Sequence, residues 1–494
     1  MLRWRLTMLS ALSLSAASSQ GAWGASATLG FATASPIIYT NTEYVEGLAA
    51  TGETLWAATR GGVEEYDLGS LTRRRILTTK AGLPTTAVLG IEIRDGALVA
   101  LTKDQRCTLL GDRFACEAAA MAALPTPTST TPELWNGARV TARLVVGSRR
   151  FVGTADRGLW LGGARPRRLT PTGQLCGNHV TAIAEFAGET FLGTFDEGLC
   201  HFDGKRFVPV SVPFRMVNDM ASTPHGLFVA TTSGLFRTRD GRHFESVYLF
   251  DTRAINGLAV DGDTLWATNP AVLWEIPLGP GRPRGYWQPG GTHSLQAVDV
   301  AAGVVWLASE DRGLLRKRGR HFQIFDRAAG LPTSWVVDVA AMPDGTAYAA
   351  TLRHGLVHVD GKGHAEAVAG SPDAWLLHVG RDDAGVWLGT QGGAARIEGK
   401  ASQVLADLPN PCVHSLYEAA AGLWVGTEGG VALYERSATA GVVRENSVAG
   451  YPWGRQPGIV VTNWTRRGQR RCARLPSGRC WPSPSTAVPR KTRW

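Results

Sequence analysis

The chain has 494 residues, of which 44% are hydrophobic and 19% charged, and its 51 Lys and Arg against 42 Asp and Glu give a formal net charge of +9. Ten of the basic residues and no acidic residue lie in 451–494. The rest of the chain is therefore close to neutral, which argues against a nucleic-acid-binding surface. Length alone predicts about three domains, but the internal repeats described below override that count.

The N-terminal residues 1–25 have the pattern of a secretory signal peptide. Arg3 and Arg5 precede an apolar stretch of about a dozen residues, too short to span a bilayer, and the small residues Ala22 and Gly24 follow with the spacing of a cleavage site. No later apolar run has the length of a transmembrane helix. We therefore expect a periplasmic or secreted protein without a transmembrane segment.

A short motif, in which an aromatic or aliphatic residue precedes Thr or Ser and then a Gly, recurs along residues 44–436. The Thr or Ser anchors lie 37 to 52 residues apart, at Thr59, Thr102, Thr154, Thr194, Thr231, Thr268, Ser309, Thr351, Thr390 and Thr427. Each unit divides into four short runs of β-branched and aromatic residues separated by Gly, Asp and Asn, which is typical of antiparallel strands. Repetition near 40 residues predicts an all-β protein, a β-propeller of about ten four-stranded repeats over 35–445.

The recurrent aromatic residue is expected to fill the space between neighbouring blades. The ten units could form one continuous ring of nine or ten blades, or a seven-bladed ring plus the start of a second. We favour one continuous ring. The segment "SPIIYTNTEYV" (35–45) is then predicted to give the last blade its outer strand and so remove exposed sheet edges.

The sequence of the repeat resembles that of the two-component regulator propeller repeat family. The motif is seen in "LWVGTEGGVALYER" (423–436) and "VWLGTQGGAARIEG" (386–399). The family's second mark, a Gly-Leu-Pro turn before a valine-rich strand, is seen in "AGLPTTAVLGI" (81–91) and "AGLPTSWVVDV" (329–339). That family builds the periplasmic sensor region of hybrid two-component systems and related stand-alone ligand-binding sensors. The resemblance implies a sensor-type propeller, here without a transmitter segment after the repeats.

The seven cysteines invite a search for disulfides in an exported chain. In "CTLLGDRFAC" a two-residue turn at Gly111-Asp112 places Cys107 directly opposite Cys116, within disulfide range. Cys176 and Cys200 flank one blade on strands too far apart to bond, so only a loop could join them. Cys412 is expected to be a buried thiol. Cys472 and Cys480 belong to the C-terminal tail.

Catalytic and cofactor signatures are not found. His354 and His358 are four residues apart on a predicted strand and would lie about 13 Å apart, too far to share one metal ion. The sequence has no Gly-rich phosphate loop, no Gly-x-Ser-x-Gly elbow and no Cys/His metal spacing. We therefore predict no catalytic residue, no cofactor and no metal.

Three classes of function remain open: a ligand-binding sensor, a protein-interaction scaffold, and a propeller enzyme acting on extracellular polysaccharide. The partners would be a small molecule or oligosaccharide, a signalling protein, or both, and no nucleic acid. Hairpin tips and inter-blade connections open on one face of a propeller, and charges of both signs there suit a hydroxyl-rich ligand. The predicted ligand-binding residues are Arg157, Arg312, Trp335, Arg353 and His354. The alternative is that these tips are ordinary solvated turns.

Residues 446–494 form a basic tail rich in Pro, Arg and Ser, without periodicity. This composition predicts disorder. The repeat pattern stops abruptly and acidic residues vanish after Glu445, which indicates translation of a shifted reading frame. A tether to an anionic surface is the functional alternative.

Overall fold

A computed structural model describes residues 35–119, 133–247, 253–287, 294–382 and 385–436. The predicted signal peptide and basic tail lie outside the described residues. In the part described, the chain forms ten antiparallel sheets, numbered here as blades 1 to 10 in chain order, and two single-turn 3₁₀ helices at Thr79–Ala81 and Arg327–Ala329. The predicted all-β, propeller-type repeat is confirmed.

Blades 1 to 3 follow a short first strand, β1 (Ile37–Tyr39). Their strands are β2 (Val45–Thr51), β3 (Thr54–Thr59), β4 (Gly62–Asp67) and β5 (Arg73–Leu77) in blade 1; β6 (Gly90–Arg94), β7 (Ala97–Leu101), β8 (Gln105–Leu110) and β9 (Arg113–Ala118) in blade 2; and β10 (Leu134–Trp135), β11 (Ala138–Val146), β12 (Arg149–Thr154), β13 (Leu159–Gly162) and β14 (Arg167–Arg168) in blade 3.

Blades 1 and 2 have four strands each and blade 3 has five, and blades 4 to 7 again have four strands each. Blade 4 contains β15 (Val180–Phe186), β16 (Glu189–Thr194), β17 (Leu199–Phe202) and β18 (Phe207–Val210), and blade 5 contains β19 (Val217–Thr223), β20 (Gly226–Thr231), β21 (Gly234–Thr238) and β22 (Phe244–Ser246). Blade 6 contains β23 (Gly257–Asp261), β24 (Thr264–Thr268), β25 (Val272–Pro277) and β26 (Arg284–Trp287). Blade 7 contains β27 (Leu295–Ala301), β28 (Val304–Ser309), β29 (Gly313–Arg318) and β30 (His321–Phe325).

Blades 8 to 10 complete the series. Blade 8 contains β31 (Val336–Ala341), β32 (Ala347–Thr351), β33 (Gly355–Val359) and β34 (Ala365–Val368). Blade 9 contains β35 (Leu376–Arg381), β36 (Val386–Thr390), β37 (Gly393–Glu398) and β38 (Ala401–Val404). Blade 10 contains β39 (Val413–Ala419), β40 (Gly422–Thr427) and β41 (Gly430–Glu435), with β1 as its fourth strand.

The anchor aromatic residues pack between blades, as the repeat predicts. Trp424 of blade 10 is fully buried against Leu192 and Cys200 of blade 4. In the same way Phe151 of blade 3 packs against Leu55 of blade 1. Because each blade buries apolar side chains on the faces it turns to its neighbours, the core is a series of inter-blade layers rather than one central cluster.

These layers show that the ten blades do not form one ring. Consecutive blades from 4 to 10 share apolar clusters, and blade 10 shares one with blade 4, so seven blades close on themselves. Blade 1 shares one cluster with blade 2 and another with blade 3, in the spatial order 2–1–3. The prediction of a continuous nine- or ten-bladed ring is therefore wrong. We call blades 4–10 the ring and blades 1–3 the arc.

The first strand closes the ring, as predicted from residues 35–45. β1 pairs with β41 in antiparallel register, with Ile37 opposite Leu433 and Tyr39 opposite Val431. The Tyr39 ring centroid lies 5.9 Å from that of Trp424 and 5.4 Å from that of Phe202 in blade 4. One short strand therefore covers the open edge of blade 10 and packs against the adjoining blade.

Two disulfides are present in the part of the chain that the structure describes. Leu110 faces Arg113 and Cys107 faces Cys116 in the hairpin register worked out from the sequence, and the Cys107–Cys116 bond has a Cα–Cα distance of 4.0 Å. The second bond joins Cys176, in the connection before β15, to Cys200 on β17, with a Cα–Cα distance of 6.0 Å. Because Cys176 lies in a loop, this bond is the loop-mediated arrangement that the strand spacing leaves possible.

Candidate functional site

In seven of the ten blades the repeat threonine bonds across the hairpin that follows the second strand. In blade 10 the buried Thr427 hydroxyl donates to the Gly430 carbonyl at 2.8 Å and accepts from the Gly429 N–H at 3.0 Å. The same hydroxyl-to-glycine bond is made by Thr59, Thr154, Thr194, Thr231, Thr351 and Thr390. This explains why Thr and Gly recur together: a buried hydroxyl pairs backbone groups that the tight turn leaves without a ladder partner.

In five of the seven ring blades the hairpin tip is bonded to the connection that enters the first strand of the same blade. Leu352 N–H donates to the Trp335 carbonyl at 3.2 Å, and Gln391 N–H donates to the Trp375 carbonyl at 3.1 Å. The two segments therefore lie side by side on one face of the ring, which we call the mouth face. Side chains at these two positions vary from blade to blade and give each blade its own surface chemistry.

Aromatic and cationic side chains lie together on the mouth face at blades 8 and 9. Trp335 is 39% exposed, and the Arg353 guanidinium lies 4.3 Å from the centroid of the Trp375 ring. His354 is also exposed, with Nδ1 3.1 Å from the Leu352 carbonyl oxygen. A cation over an indole at an exposed site contributes about 0.5–1 kcal/mol.

Arg353 holds its position through an unusual backbone. Its φ is 71°, in the left-handed region that a non-glycine residue enters at a cost of roughly 1–3 kcal/mol. At the corresponding hairpins of blades 3, 4 and 7, the N–H three residues after the anchor Thr or Ser donates to the anchor hydroxyl. These donors belong to Arg157, Glu197 and Arg312. The hairpin of blade 8 thus turns differently and carries the Arg353 side chain over Trp375.

The five residues predicted to bind a ligand do not form a single site. Arg312 lies in the hairpin of blade 7, where the adjacent Gly313 N–H donates to the Ser334 carbonyl at 2.8 Å, next to Trp335. Blades 7 and 8 therefore bring Arg312, Trp335, Arg353 and His354 to neighbouring positions. Arg157 belongs to blade 3 of the arc, where it donates to the Asn136 carbonyl at 2.6 Å. Because blade 3 packs on blade 1, Arg157 lies on the arc and the other four predicted residues lie on the ring.

Inside the ring, the first strands carry acidic residues that bond neighbouring blades together. Asp219 accepts from its own strand at Met220 N and from blade 6 at Leu258 N, each at 2.7 Å. Asp338 accepts from Val339 N at 2.8 Å and, on blade 9, from Val379 N at 3.0 Å. Burial raises the pKa of Asp219 to about 7, although the two backbone donors favour its charged form.

Two basic residues of blade 9 complete this inner belt. His378 Nδ1 lies 2.8 Å from an Asp338 oxygen. Burial opposes protonation of His378, but Asp338 outweighs it and the pKa is raised. Arg381 pairs with Asp299 of blade 7 and donates to the Ala341 carbonyl of blade 8 at 2.7 Å. Since these carboxylates are occupied by backbone N–H groups and basic partners, the belt holds blades together rather than presenting a free acid–base pair.

Sequence reasoning identified the exposed mouth residues but not Trp375 or the inner belt. Trp375 looks like any other hydrophobic residue before a strand, and its role depends on the unusual turn of the blade 8 hairpin. The belt acids look like surface positions on alternating strands, and only closure of the ring turns them toward one another.

No known protein family's sequence profile matches the chain. The search of curated proteins also gave no match. None of the helices among the described residues is long and apolar enough to cross a bilayer.

The solved structures to which the chain is similar include extracellular domains of putative hybrid two-component systems, the class whose repeat the sequence resembles. The domain of BT4673 from B. thetaiotaomicron is 13% identical, with a TM-score of 0.44, over 80% of this chain and 70% of that one. The domain of BT3049 from the same organism is 14% identical, with a TM-score of 0.49, over 80% and 56%. PorZ, a surface component of the type-IX secretion system of Porphyromonas gingivalis, is 16% identical, with a TM-score of 0.48, over 80% and 63%.

Proposed function

We propose that this chain is an exported, sensor-type propeller that binds a polar, hydroxyl-rich ligand on the mouth face of the ring at blades 7 to 9. An oligosaccharide is the ligand class that this surface suits best. The chain would act by binding, without catalysing a reaction, and would pass its signal through a partner protein.

The observation that carries the proposal is the platform formed by Trp335, Trp375 and Arg353. An exposed indole offers a flat face on which a sugar ring can pack its C–H groups, and a nearby guanidinium donates hydrogen bonds to hydroxyls. The left-handed backbone at Arg353 costs free energy and places its guanidinium over Trp375, and such strain clusters at ligand-binding positions.

The inner belt supports binding over catalysis. A glycosidase needs two carboxylates facing one bond, with one free to take a proton. Here Asp219 and Asp338 each accept two backbone hydrogen bonds that join adjacent blades. Moving either carboxylate toward a substrate would break an inter-blade contact.

A scaffold role for the arc is a second candidate, supported by one observation. Three of its large apolar side chains are well exposed, Leu110 at 62%, Leu134 at 64% and Val145 at 67%. Leu110 lies on blade 2 and the other two on blade 3, the two end blades of the arc. These ends suit contact with a signalling partner, which would leave the mouth face of the ring free for a ligand.

Binding to a panel of oligosaccharides, measured by calorimetry, tests the proposal. The key variant is Arg353→Gly, since glycine accepts the left-handed backbone and only the side chain is lost. We expect its affinity to fall at least about tenfold, from loss of a charged hydrogen bond worth about 1.5–3 kcal/mol, while its stability is unchanged or higher. Trp335→Ala should weaken binding by a similar factor.

Two matched variants serve as controls. Trp287→Ala removes a tryptophan that is 66% exposed at the outer edge of blade 6, and Arg157→Ala removes a hairpin arginine of the arc. Both should bind within about twofold of the unmodified protein. If a glycan binds and the Arg353 and Trp335 variants retain full affinity, the ligand site lies elsewhere.

A further inference from the structure

The seam at which blade 10 meets blade 4 gathers four side chains that can bind a transition metal. His179 lies in the connection just before β15 of blade 4. Cys412 and His414 flank the first residue of β39, and Glu428 lies in the hairpin between β40 and β41. Three separate segments from two blades therefore bring nitrogen, sulfur and oxygen donors to one point.

The donor atoms are already near metal-binding distances. One donor atom each from His179, His414 and Glu428 lie within 4.8 Å of one another. His414 Nε2 is 3.3 Å from Glu428 Oε1 and 3.5 Å from Cys412 Sγ. A tetrahedral zinc ion with bonds of about 2.0–2.3 Å separates its ligands by roughly 3.3–3.6 Å. The two shorter distances therefore need no adjustment. The largest separation among the donor atoms of His179, His414 and Glu428, at most 4.8 Å, has to shorten by roughly 1 Å.

The backbone around these side chains is braced before any ion binds. Asn410 Oδ1 accepts from Cys412 N–H at 2.8 Å, and Glu428 N–H donates to the Cys412 carbonyl at 3.2 Å. The His179 ring stacks on Phe195 with centroids 4.9 Å apart. Fixed ligand positions lower the entropy cost of coordination, as in natural metal sites.

The seam differs from the other blades at the same two mouth-face positions. Blade 8 places Trp335 and Leu352 there, and blade 9 places Trp375 and Gln391. Blade 10 places Cys412 and Glu428 there, and blade 4 adds His179. Within the described ranges, His179, His414 and Glu428 are the one set of three or more His, Cys, Asp or Glu side chains whose donor atoms lie within 4.8 Å of one another. Cys412 joins this set through the 3.5 Å contact of its Sγ with His414 Nε2.

We propose that His179, Cys412, His414 and Glu428 form a zinc site that fastens blade 10 to blade 4. A thiolate, a carboxylate and two neutral imidazoles balance the ion's charge, and mixed N, S and O donors suit Zn²⁺ rather than Mg²⁺ or Ca²⁺. Four protein ligands leave no open position, so the site is structural. It supplements β1, which closes the same seam on its outer side.

Metal binding to tag-free protein tests this proposal, with the protein first stripped by a chelator. Adding Zn²⁺ should load one ion per chain and raise the melting temperature. Co²⁺ used as a probe should give visible d–d bands and a thiolate-to-metal band in the near ultraviolet. Cys412→Ser should abolish the thiolate band, and His179→Ala and Glu428→Gln should weaken affinity at least about 100-fold.

The control is His225→Ala, which removes an exposed histidine between the first two strands of blade 5 and should leave stoichiometry and affinity unchanged. Circular dichroism of the metal-free variants separates loss of binding from loss of folding, and Glu428→Gln preserves side-chain size for that purpose. The proposal is overturned if the stripped protein takes up no Zn²⁺ at micromolar concentration. It is equally overturned if the Cys412 and His179 variants, once loaded, match the unmodified protein.

Discussion

Replacing Arg381 with methionine should loosen the ring from inside and make its stability depend on pH. Arg381 joins three blades: it pairs with Asp299 of blade 7, donates to the Val300 carbonyl at 3.1 Å, and donates to the Ala341 carbonyl of blade 8 at 2.7 Å. Methionine keeps an unbranched side chain without the charge or the donors. The variant therefore leaves a carboxylate and two carbonyls without this partner.

The magnitude follows from the burial of the pair. Breaking a fully buried ion pair costs about 3–5 kcal/mol. The Arg381 and Asp299 side chains are 23% and 17% exposed, so solvent screens part of the charge. We expect the free energy of unfolding to fall by about 2–4 kcal/mol at neutral pH, an amount comparable with losing several ordinary hydrogen bonds.

The sign of the pH dependence is set by Asp299. Burial raises the pKa of this carboxyl, and Arg381 opposes that rise. Without Arg381 the folded-state pKa moves further up. A carboxyl with a raised folded pKa contributes stability that is fully present below its unfolded pKa and is lost as pH rises through the folded value. The deficit of the variant should therefore be smallest near pH 4 and should grow toward neutral pH.

Urea unfolding followed by tryptophan fluorescence at several pH values measures this deficit. Arg318→Met, at an exposed position on the last residue of β29, is the matched control and should change stability by less than about 0.5 kcal/mol at any pH. A deficit below 1 kcal/mol, or one that does not vary with pH, would show that the inner belt does not hold the blades as described.

Three further outcomes are expected. Thr427→Val should cost about 1–3 kcal/mol in urea unfolding, because the Gly429 N–H and Gly430 carbonyl lose a buried partner; an unchanged midpoint would refute this. Tyr39→Ala should lower the free energy of unfolding by about 2–4 kcal/mol and expose Trp424 to a fluorescence quencher. Unchanged stability and quenching would show that β1 does not close the ring. Unreduced peptide mapping should find Cys107 linked to Cys116, whereas alkylation of both would contradict the hairpin register.

Local structure was predictable from the sequence because short-range rules decide it. The two-residue turn at Gly111-Asp112 fixes the pairing of every residue on both arms of its hairpin, which is why Cys107 faces Cys116. The repeat threonine and glycine likewise act within one hairpin. The period of the repeat therefore predicts four strands per unit and the burial of the aromatic residue.

The candidate sites were only partly predictable. Arg312, Trp335, Arg353 and His354 are recognisable as hairpin-tip or connection residues of consecutive repeats, and consecutive ring blades are neighbours in space. Arg157 follows the same local pattern but belongs to the arc. The local sequence of a hairpin gives its chemistry without stating which blades surround it.

By itself the sequence determined the strands, the hairpins, the inter-blade position of the aromatic residues and the role of the first strand, since each depends on residues close together or on alternation along a strand. Only the tertiary structure decided that seven blades close and three remain apart. All blades carry similar apolar faces, so the repeat cannot specify which neighbour each face meets. The pairing of blade 10 with blade 4 depends on accumulated twist and on β1, and that pairing alone brings His179 to Cys412, His414 and Glu428.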